Sequence, residues 1–343
     1  MRIIAIDIGG GTQDILLYEK NCPLENSIKL ILPSQTRIIA NRIAAVTKDG
    51  KALFLKGNLM GGGWCVKAIK NHILVGLKVY STELAAKTIH DNIARVKEMG
   101  IDIVTKPPEG AVSVVLADID LAALKEALSC FDTELPETFA VAVQDHGECI
   151  EGSNRVFRFQ HWQRFLENDG HISHLAYKTP PSYLTRMIAV MNDLPNAIVM
   201  DTSAAAILGA LCDPVIAKEN KNGVVVVNIG NQHTVGTLVK DSKILGLFEH
   251  HTALITPKKL KDYINRLLNG TLTNEDVFRD GGHGCFIHPG FSPQIGFDLI
   301  SVTGPKRNVA EGPGYYFAVP YGDMMLTGCF GLVNAAMDCL GGA

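Results

Sequence analysis

Three consecutive glycines, Gly9, Gly10 and Gly11, interrupt an apolar run that begins at Ile3 and reaches Asp7. Thr12-Gln13-Asp14 follows, and apolar character resumes at once as Ile15-Leu16-Leu17-Tyr18. Two short β-like runs joined by a glycine turn read as a hairpin, not as a strand entering a helix. A dinucleotide fingerprint needs G-x-G-x-x-G opening a helix, and a P-loop needs G-x-x-x-x-G-K-[ST]; neither pattern is present here. The glycine turn still suits an anion, because backbone N–H groups without neighbouring Cβ atoms can approach it closely and form a nest. Asp7, at the mouth of the first strand, is the right residue type to hold a hydrated Mg²⁺, which keeps several waters and takes one or two carboxylates. Thr12 and Gln13 carry donors for phosphate oxygens. The alternative is a tight hairpin whose glycines serve only positive φ, with Asp7 and Asp14 as turn residues.

The same order returns later in the chain. Val224 to Asn228 is apolar up to its last residue, Gly230-Asn231-Gln232-His233-Thr234 follows, and Val235 to Val239 is largely apolar again. The polar stretch Lys218 to Gly223 precedes this repeat and reads as a linker. A length of 343 residues fits about two domains of ~150 residues. With 47% hydrophobic and 20% charged residues there is ample material for a core. A formal net charge of −3 offers no basic footprint for nucleic acid. No apolar stretch reaches the ~20 residues of a membrane span, and the first strand starts too early to leave room for a signal peptide. Eight cysteines show no C-x-x-C and no regular spacing, so neither a zinc cage nor a disulfide framework is indicated. A reduced, cytoplasmic protein is the expectation.

Between the two glycine turns, apolar strands alternate with helical periodicity, which predicts an α/β architecture. Helices are predicted over Gln35 to Thr47, Trp64 to Leu77, Thr82 to Met99, Ile119 to Phe131 and Pro180 to Met191. A strand over Phe139 to Val143 delivers Gln144-Asp145-His146-Gly147 at its C-terminal end, where ligands gather in open α/β sheets. Asp201-Thr202-Ser203 caps an alanine-rich helix through Leu211. Val319 to Met337 carries the closing helix.

This order of motifs resembles the superfamily of sugar kinases, actin and Hsp70-type chaperone ATPases. The superfamily's first phosphate motif is similar to Asp7 through Asp14, and its first connecting helix to Met200 through Gly209. The second phosphate motif resembles Val225 to Thr234, the adenosine motif Leu299 to Pro305, and the second connecting segment Pro320 to Gly331. Within the superfamily the chain resembles a prokaryotic family labelled as pyruvate formate-lyase activating enzymes. Radical chemistry of that kind would need clustered cysteines for an iron–sulfur centre, and these are scattered. Two departures stand out. Asn228 occupies the position where the second phosphate motif begins with Asp, and its glycine pair is broken to Gly230-Asn231. The adenosine motif's glycine pair is Gly304-Pro305 here, followed by Lys306-Arg307.

The resemblance implies a two-lobed actin-like ATPase fold, a duplicated ribonuclease H-like α/β architecture. One lobe would comprise residues 1–217 with inserted segments and the closing helix at 326–343, and the other residues 218–325. ATP and Mg²⁺ would bind between them, with catalysis carried by positioning and electrostatics. Asp7 and Asn228 fall at the metal positions. Gly9, Gly10, Gly11, Thr12 and Gln13 from one hairpin, with Gly230, Asn231, Gln232 and Thr234 from the other, would cradle the phosphates. Gly304, Pro305 and Lys306 would meet the adenosine. Asp201 matches the place of a kinase's general base, or of an ATPase's water-orienting residue; as an N-cap alone it would contribute ~1 kcal/mol to its helix. Asp145, with Gln144 and His146, is a candidate for substrate binding or an alternative base, and a satisfied loop network is the other reading. Met60 to Trp64 either lines the cleft or makes a strand-to-helix turn. Gly282-His283-Gly284-Cys285 could be a metal or thiol site, a lid or a turn. Arg155, Arg158, His161 and Arg164 form an anion-binding surface or a solvated helix face. The activity expected is that of an ATP-dependent kinase or activating enzyme on an unidentified small molecule or protein. The rival is a slow ATPase acting as a nucleotide-dependent switch. A homodimer is allowed; neither nucleic acid nor a membrane is called for.

Overall fold

The computed structural model describes residues 1–293 and 296–341. The chain begins with a meander of β1 (Arg2–Ile8), β2 (Thr12–Glu19) and β3 (Ile28–Pro33), followed by helix α1 (Gln35–Lys48). An inserted unit comes next. Its parallel strands are β4 (Leu53–Gly57), β5 (Val79–Ser81), β6 (Ile101–Ile103) and β7 (Val112–Leu116), with helices α2 (Gly63–Leu74), α3 (Glu83–Ala86), α4 (Ile93–Glu98) and α5 (Leu121–Ser129). The chain then returns through β8 (Thr138–Val143), α6 (Asn154–Glu167), β9 (Ala176–Tyr177), α7 (Thr185–Asp193), β10 (Ile198–Asp201), α8 (Thr202–Ala210) and α9 (Pro214–Glu219). The second meander is β11 (Val224–Ile229), β12 (His233–Lys240) and β13 (Lys243–His251). After it come α10 (Pro257–Leu268), α11 (Asn274–Arg279), β14 (Gly284–Ile287), β15 (Leu299–Thr303), β16 (Tyr315–Phe317) and α12 (Thr327–Cys339).

Strand order fixes the fold. The first sheet runs β3-β2-β1-β8-β10-β9 and the second β14-β13-β12-β11-β15-β16. In each, an antiparallel meander places its first strand centrally, and two parallel strands extend the other side: β8 and β10 beside β1, β15 and β16 beside β11. That duplication is the ribonuclease H-like arrangement of the two-lobed actin-like ATPase fold. Side-chain alternation explains why both faces of each sheet are covered. Ile3 and Ala5 face the core shared by the two sheets, where Ala204, Val226 and Leu332 also lie, while Ile4, Ile6 and Ile8 face a separate layer with Val141 and Met187.

The two helices between the sheets, α8 and α12, touch backbone to backbone. A Cβ added at Gly209 would lie 1.7 Å from the Thr327 carbonyl oxygen, and one at Gly331 would lie 2.0 Å from that of Ala205. The alanine run of α8 is therefore a contact surface as well as a helix former.

Several predicted elements are corrected. Thr82 to Met99 is two short helices broken at residues 87–92, because Thr82 and Asn92 each cap a separate start. The inserted parallel sheet was not anticipated, since β5 and β6 are three residues each and too short to display a period. The polar stretch at Lys218 is not all linker: Asp213 caps α9 with Pro214 at its first turn, and only residues 220–223 connect. The helix expected from Pro180 starts at Thr185, and the closing helix starts at Thr327, after a turn in which Tyr321 has φ 50°. Of the closing segment expected to reach residue 343, residues 342–343 lie outside the described residues.

Gly209→Ala is expected to destabilise the fold by roughly 1–3 kcal/mol or more, because the obstructing atoms are backbone and cannot rotate away. Urea denaturation measures the loss, and a variant as stable as the parent would mean the two helices can part without cost.

Candidate functional site

The two glycine turns meet. Gly9, Gly10, Asn228, Gly230 and Asn231 line one crevice of about 80 Å³, together with Asp7, Thr12, Asp14, Thr202, Thr303, Gly304 and Pro305. The approach is close enough to need glycine. A Cβ at Gly10 would lie 2.4 Å from the Gln232 side chain, and one at Gly11 would lie 2.6 Å from Asn231. Gly304 takes φ +99° and approaches Asn228, so the turn after β15 closes the crevice's side.

Asp7 and Asp14 face each other as a cross-strand pair of the first hairpin. Thr202, the first residue of α8, donates from Oγ1 to Asp7 Oδ1 at 2.5 Å. The start of α12 presses on the other oxygen, since a Cβ at Gly328 would lie 1.9 Å from Asp7 Oδ2. Burial pushes the Asp7 carboxyl up to about 7, against the lowering effect of Thr202, and Asp201 adds to the rise. Burial and the charge of Asp7 push Asp14 up to about 8. Asp14 Oδ1 is buried without a hydrogen-bond partner. This is an acidic, desolvated floor under two glycine turns, of a kind that a cation would relieve.

The other expected contact residues divide. Gln13 is buried and its amide donates to the Pro33 carbonyl at 2.9 Å, so it braces the hairpin against β3. Thr234 is buried and shares a hydrogen bond with Thr252. Lys306 is exposed, and its backbone N–H donates to Ile229. Gln232 reaches a second, larger cavity.

That cavity, about 260 Å³, lies between the first hairpin, the inserted unit and the loop after β8. Met60 to Gly63, Lys87 to Asp91 and Gln144 to Gly147 line it, with Arg186 on one side. Gly9, Gly10 and Thr202 line both cavities, so the two adjoin at the first glycine turn. Arg186 is held by Asp118 through two hydrogen bonds of 2.7 and 2.8 Å and donates to the Gln144 carbonyl. Asp145 accepts from the backbone N–H groups of Gly147 and Met187, so both of its oxygens tie the loop down.

Asp201 caps α8 by accepting from the Ser203 N–H, as expected, and carries a partner the sequence reading missed. Arg158 clasps it with both terminal nitrogens, at 2.8 and 3.2 Å, while Arg158 Nε donates to both oxygens of Glu249 at 2.8 Å. Trp162 and Gln144 complete the shell around Glu249. Burial alone would raise the Glu249 carboxyl, yet the facing guanidinium holds it well below the usual carboxylate range. Arg158 is 1% exposed, so it belongs neither to an anion-binding surface nor to a solvated face. A sequence signal existed: Arg158 precedes Trp162 by four residues, on the apolar face of α6.

A family model described as "Putative pyruvate format-lyase activating enzyme (DUF1786)" matches residues 60–309. The chain belongs to that family. No curated protein matches the sequence. Solved structures of similar shape include a ROK family glucokinase from Streptomyces griseus, with 10% identity and a TM-score of 0.38 over 98% of this chain and 100% of that one. A ROK hexokinase from Thermus thermophilus has 8% identity and a TM-score of 0.33 over 100% of both chains. A Ppx/GppA family member from Aquifex aeolicus has 12% identity and a TM-score of 0.30 over 89% of this chain and 66% of that one. Similarity this low adds nothing to the fold assignment, which stands on the duplicated strand order. The family's label does not fit the donor set: all eight cysteines are free, and no three come together among the described residues. No helix among the described residues is long and apolar enough to cross a membrane.

Arg158→Ala would leave two buried carboxylates facing each other and should cost about 3–5 kcal/mol in urea denaturation. A loss under ~1 kcal/mol would mean that water already reaches the pair. For Asp14, the folded chain holds its proton up to about pH 8 whereas the unfolded chain releases it near its ordinary value of 3.8. Stability should therefore fall as pH rises between about 4 and 8. Asp14→Asn should remove that part of the slope, and parallel stability–pH curves for parent and variant would contradict it.

Proposed function

We propose that the chain binds ATP with Mg²⁺ in the crevice between its two glycine turns and acts as a phosphotransferase, with the acceptor in the larger cavity. One lobe would be residues 1–217 with the closing helix, and the other residues 218–325. The observation that carries this reading is that Gly10 and Gly230, from two separate sheets, border one crevice floored by Asp7. That Gly9, Gly10 and Thr202 border both the crevice and the larger cavity supports a short distance from phosphate donor to acceptor.

The residues suit their parts. Asp7, positioned by Thr202 and short of water, is the carboxylate for Mg²⁺; Asn228 would contribute a neutral oxygen, so the cation would be held by less charge than in a paired-Asp site. The backbone N–H groups of both turns would bind phosphate oxygens. Asp201 and Asp145 are the candidates for catalytic carboxylates. Bound ATP-Mg²⁺ would supply the transferable phosphoryl group and the charge that neutralises it.

A second reading has its own support. Asp201 has both oxygens engaged by Arg158, and Asn228 stands where an acid would be expected, which together favour slow turnover and a nucleotide-dependent switch.

Thermal-shift and calorimetric titrations separate these readings. ATP and ADP should raise the melting temperature in a Mg²⁺-dependent way, and Asp7→Asn should weaken Mg²⁺-dependent binding at least about tenfold, equivalent to ~1.4 kcal/mol. Absence of any Mg²⁺-dependent shift would remove the nucleotide reading altogether. If Asp201→Asn leaves phosphate release unchanged and no acceptor stimulates turnover in the parent, the switch is preferred to the phosphotransferase.

A further inference from the structure

We propose that His146, His233 and His283 form a binding site for one divalent transition-metal ion of the zinc class, linking the loop after β8 to the glycine turn before β12. This site is separate from the Asp7 crevice and does not depend on the nucleotide reading. One ligating nitrogen from each of the three histidines lies within 4.8 Å of the others. Ring centroids are 5.6 Å apart for His146–His233 and His146–His283, and 4.9 Å apart for His233–His283. Nitrogens bound tetrahedrally at about 2.0–2.1 Å stand ~3.3 Å apart, so side-chain rotations of about an ångström would close the set.

Three features point to an ion rather than to core packing. First, neither ring nitrogen of His233 or of His283 has a hydrogen-bond partner, although all four atoms are buried and His283 is 1% exposed. Buried polar atoms are almost always paired, and two unpaired imidazoles side by side carry a desolvation cost that a shared cation would offset. Second, burial pushes His233 down to about 3 and His283 down to about 4, and holds His146 well below its ordinary value. All three are neutral at physiological pH, which is the form that ligates. Third, the carboxylate of Glu249 acts on all three imidazoles and more strongly than Arg158 at His233 and His283, while at His146 the guanidinium acts more strongly; Arg158 is itself paired with both Glu249 and Asp201.

The backbone delivers these side chains from separate elements. His146 follows the end of β8, and His233 opens β12 directly after Gln232. The His283 N–H donates to the Glu249 carbonyl at 2.9 Å, and the next residue, Gly284, takes φ +153°, where a Cβ would strike Asn274. His251 stands beside the set, its ring 4.7 Å from that of His283 and 5.1 Å from that of His233. His146 borders the larger cavity while His233 and His251 border a shallow surface hollow, so an ion has a route in. An all-imidazole donor set selects zinc, cobalt, nickel, copper or ferrous iron over magnesium and calcium. An ion held here would pin the second glycine turn to the first sheet, making metal occupancy a brace for that turn.

The test uses the full chain without a histidine tag, stripped with chelator and titrated with Zn²⁺ and with Co²⁺ by calorimetry and visible absorption. One equivalent should bind, with the Co²⁺ spectrum of a four- or five-coordinate site, and Zn²⁺ should raise the melting temperature. His283→Ala and His146→Ala should each lose at least about 100-fold in affinity, beyond the effect of removing an outer-shell partner. Circular dichroism checks the fold of each variant, and the partly exposed His146 serves if His283→Ala does not fold. His171 and His174, a pair elsewhere with rings 5.6 Å apart, provide the control, since their double substitution to Ala should leave binding unchanged. The proposal is overturned if the parent binds no stoichiometric Zn²⁺ or Co²⁺, if His146→Ala binds as tightly as the parent, or if binding disappears with the His171/His174 pair.

Discussion

Arg158 reaches in two directions from one face of α6. Its Nε meets Glu249 on β13 of the second sheet, and its terminal nitrogens clasp Asp201 where β10 of the first sheet turns into α8. The third contact, to the Asp145 carbonyl, fixes the loop that borders the larger cavity. One guanidinium thus ties together both sheets, the start of a central helix and a cavity wall. A buried ion pair is poor evidence for net stability, because desolvation can exceed the attraction. What it provides is position: a planar fork with five donors satisfies two carboxylates and a carbonyl only in one relative placement of the elements that carry them.

The glycines complement that constraint. Charge sets where the two sheets stand, and the absence of Cβ atoms lets them approach. Gly209 and Gly331 allow α8 and α12 to touch along their backbones, and Gly328 lets α12 abut the Asp7 carboxylate. Gly10 and Gly11 do the same at the crevice, where the side chains of Gln232 and Asn231 lie against bare backbone. Small residues at these positions convert two independent sheets into a pair whose turns share one space.

The two halves of the duplicated fold have diverged in chemistry. The first hairpin carries two acids, Asp7 and Asp14, at a paired position; the second has Asn228 opposite Val235. Histidines collect instead on the second half, at the start of β12, the end of β13 and beyond it, and meet His146 from the first. An acidic crevice and an imidazole cluster therefore both border the same glycine turn, Gly230 to Gln232.

Much of the frame was legible in the sequence because it depends on local rules. Glycine turns between apolar runs announce hairpins, capping residues announce helix starts, and the echo of Ile3 to Tyr18 at Val224 to Val239 announces duplication. The inserted parallel sheet was not, because three-residue strands carry no readable period. At the site, Asp7 and the two glycine turns could be picked out by residue type and position, whereas the buried placement of Gln13 and Thr234 could not. The Arg158 triad and the three histidines were beyond reach for a stronger reason. Their members come from α6, β10 and β13, or from two loops and the start of β12, and long-range pairing of charges or imidazoles leaves no periodic trace along the chain. Local chemistry determined the elements and their turns; only the folded chain, by bringing distant side chains within bonding distance and excluding water around them, decided which would act together.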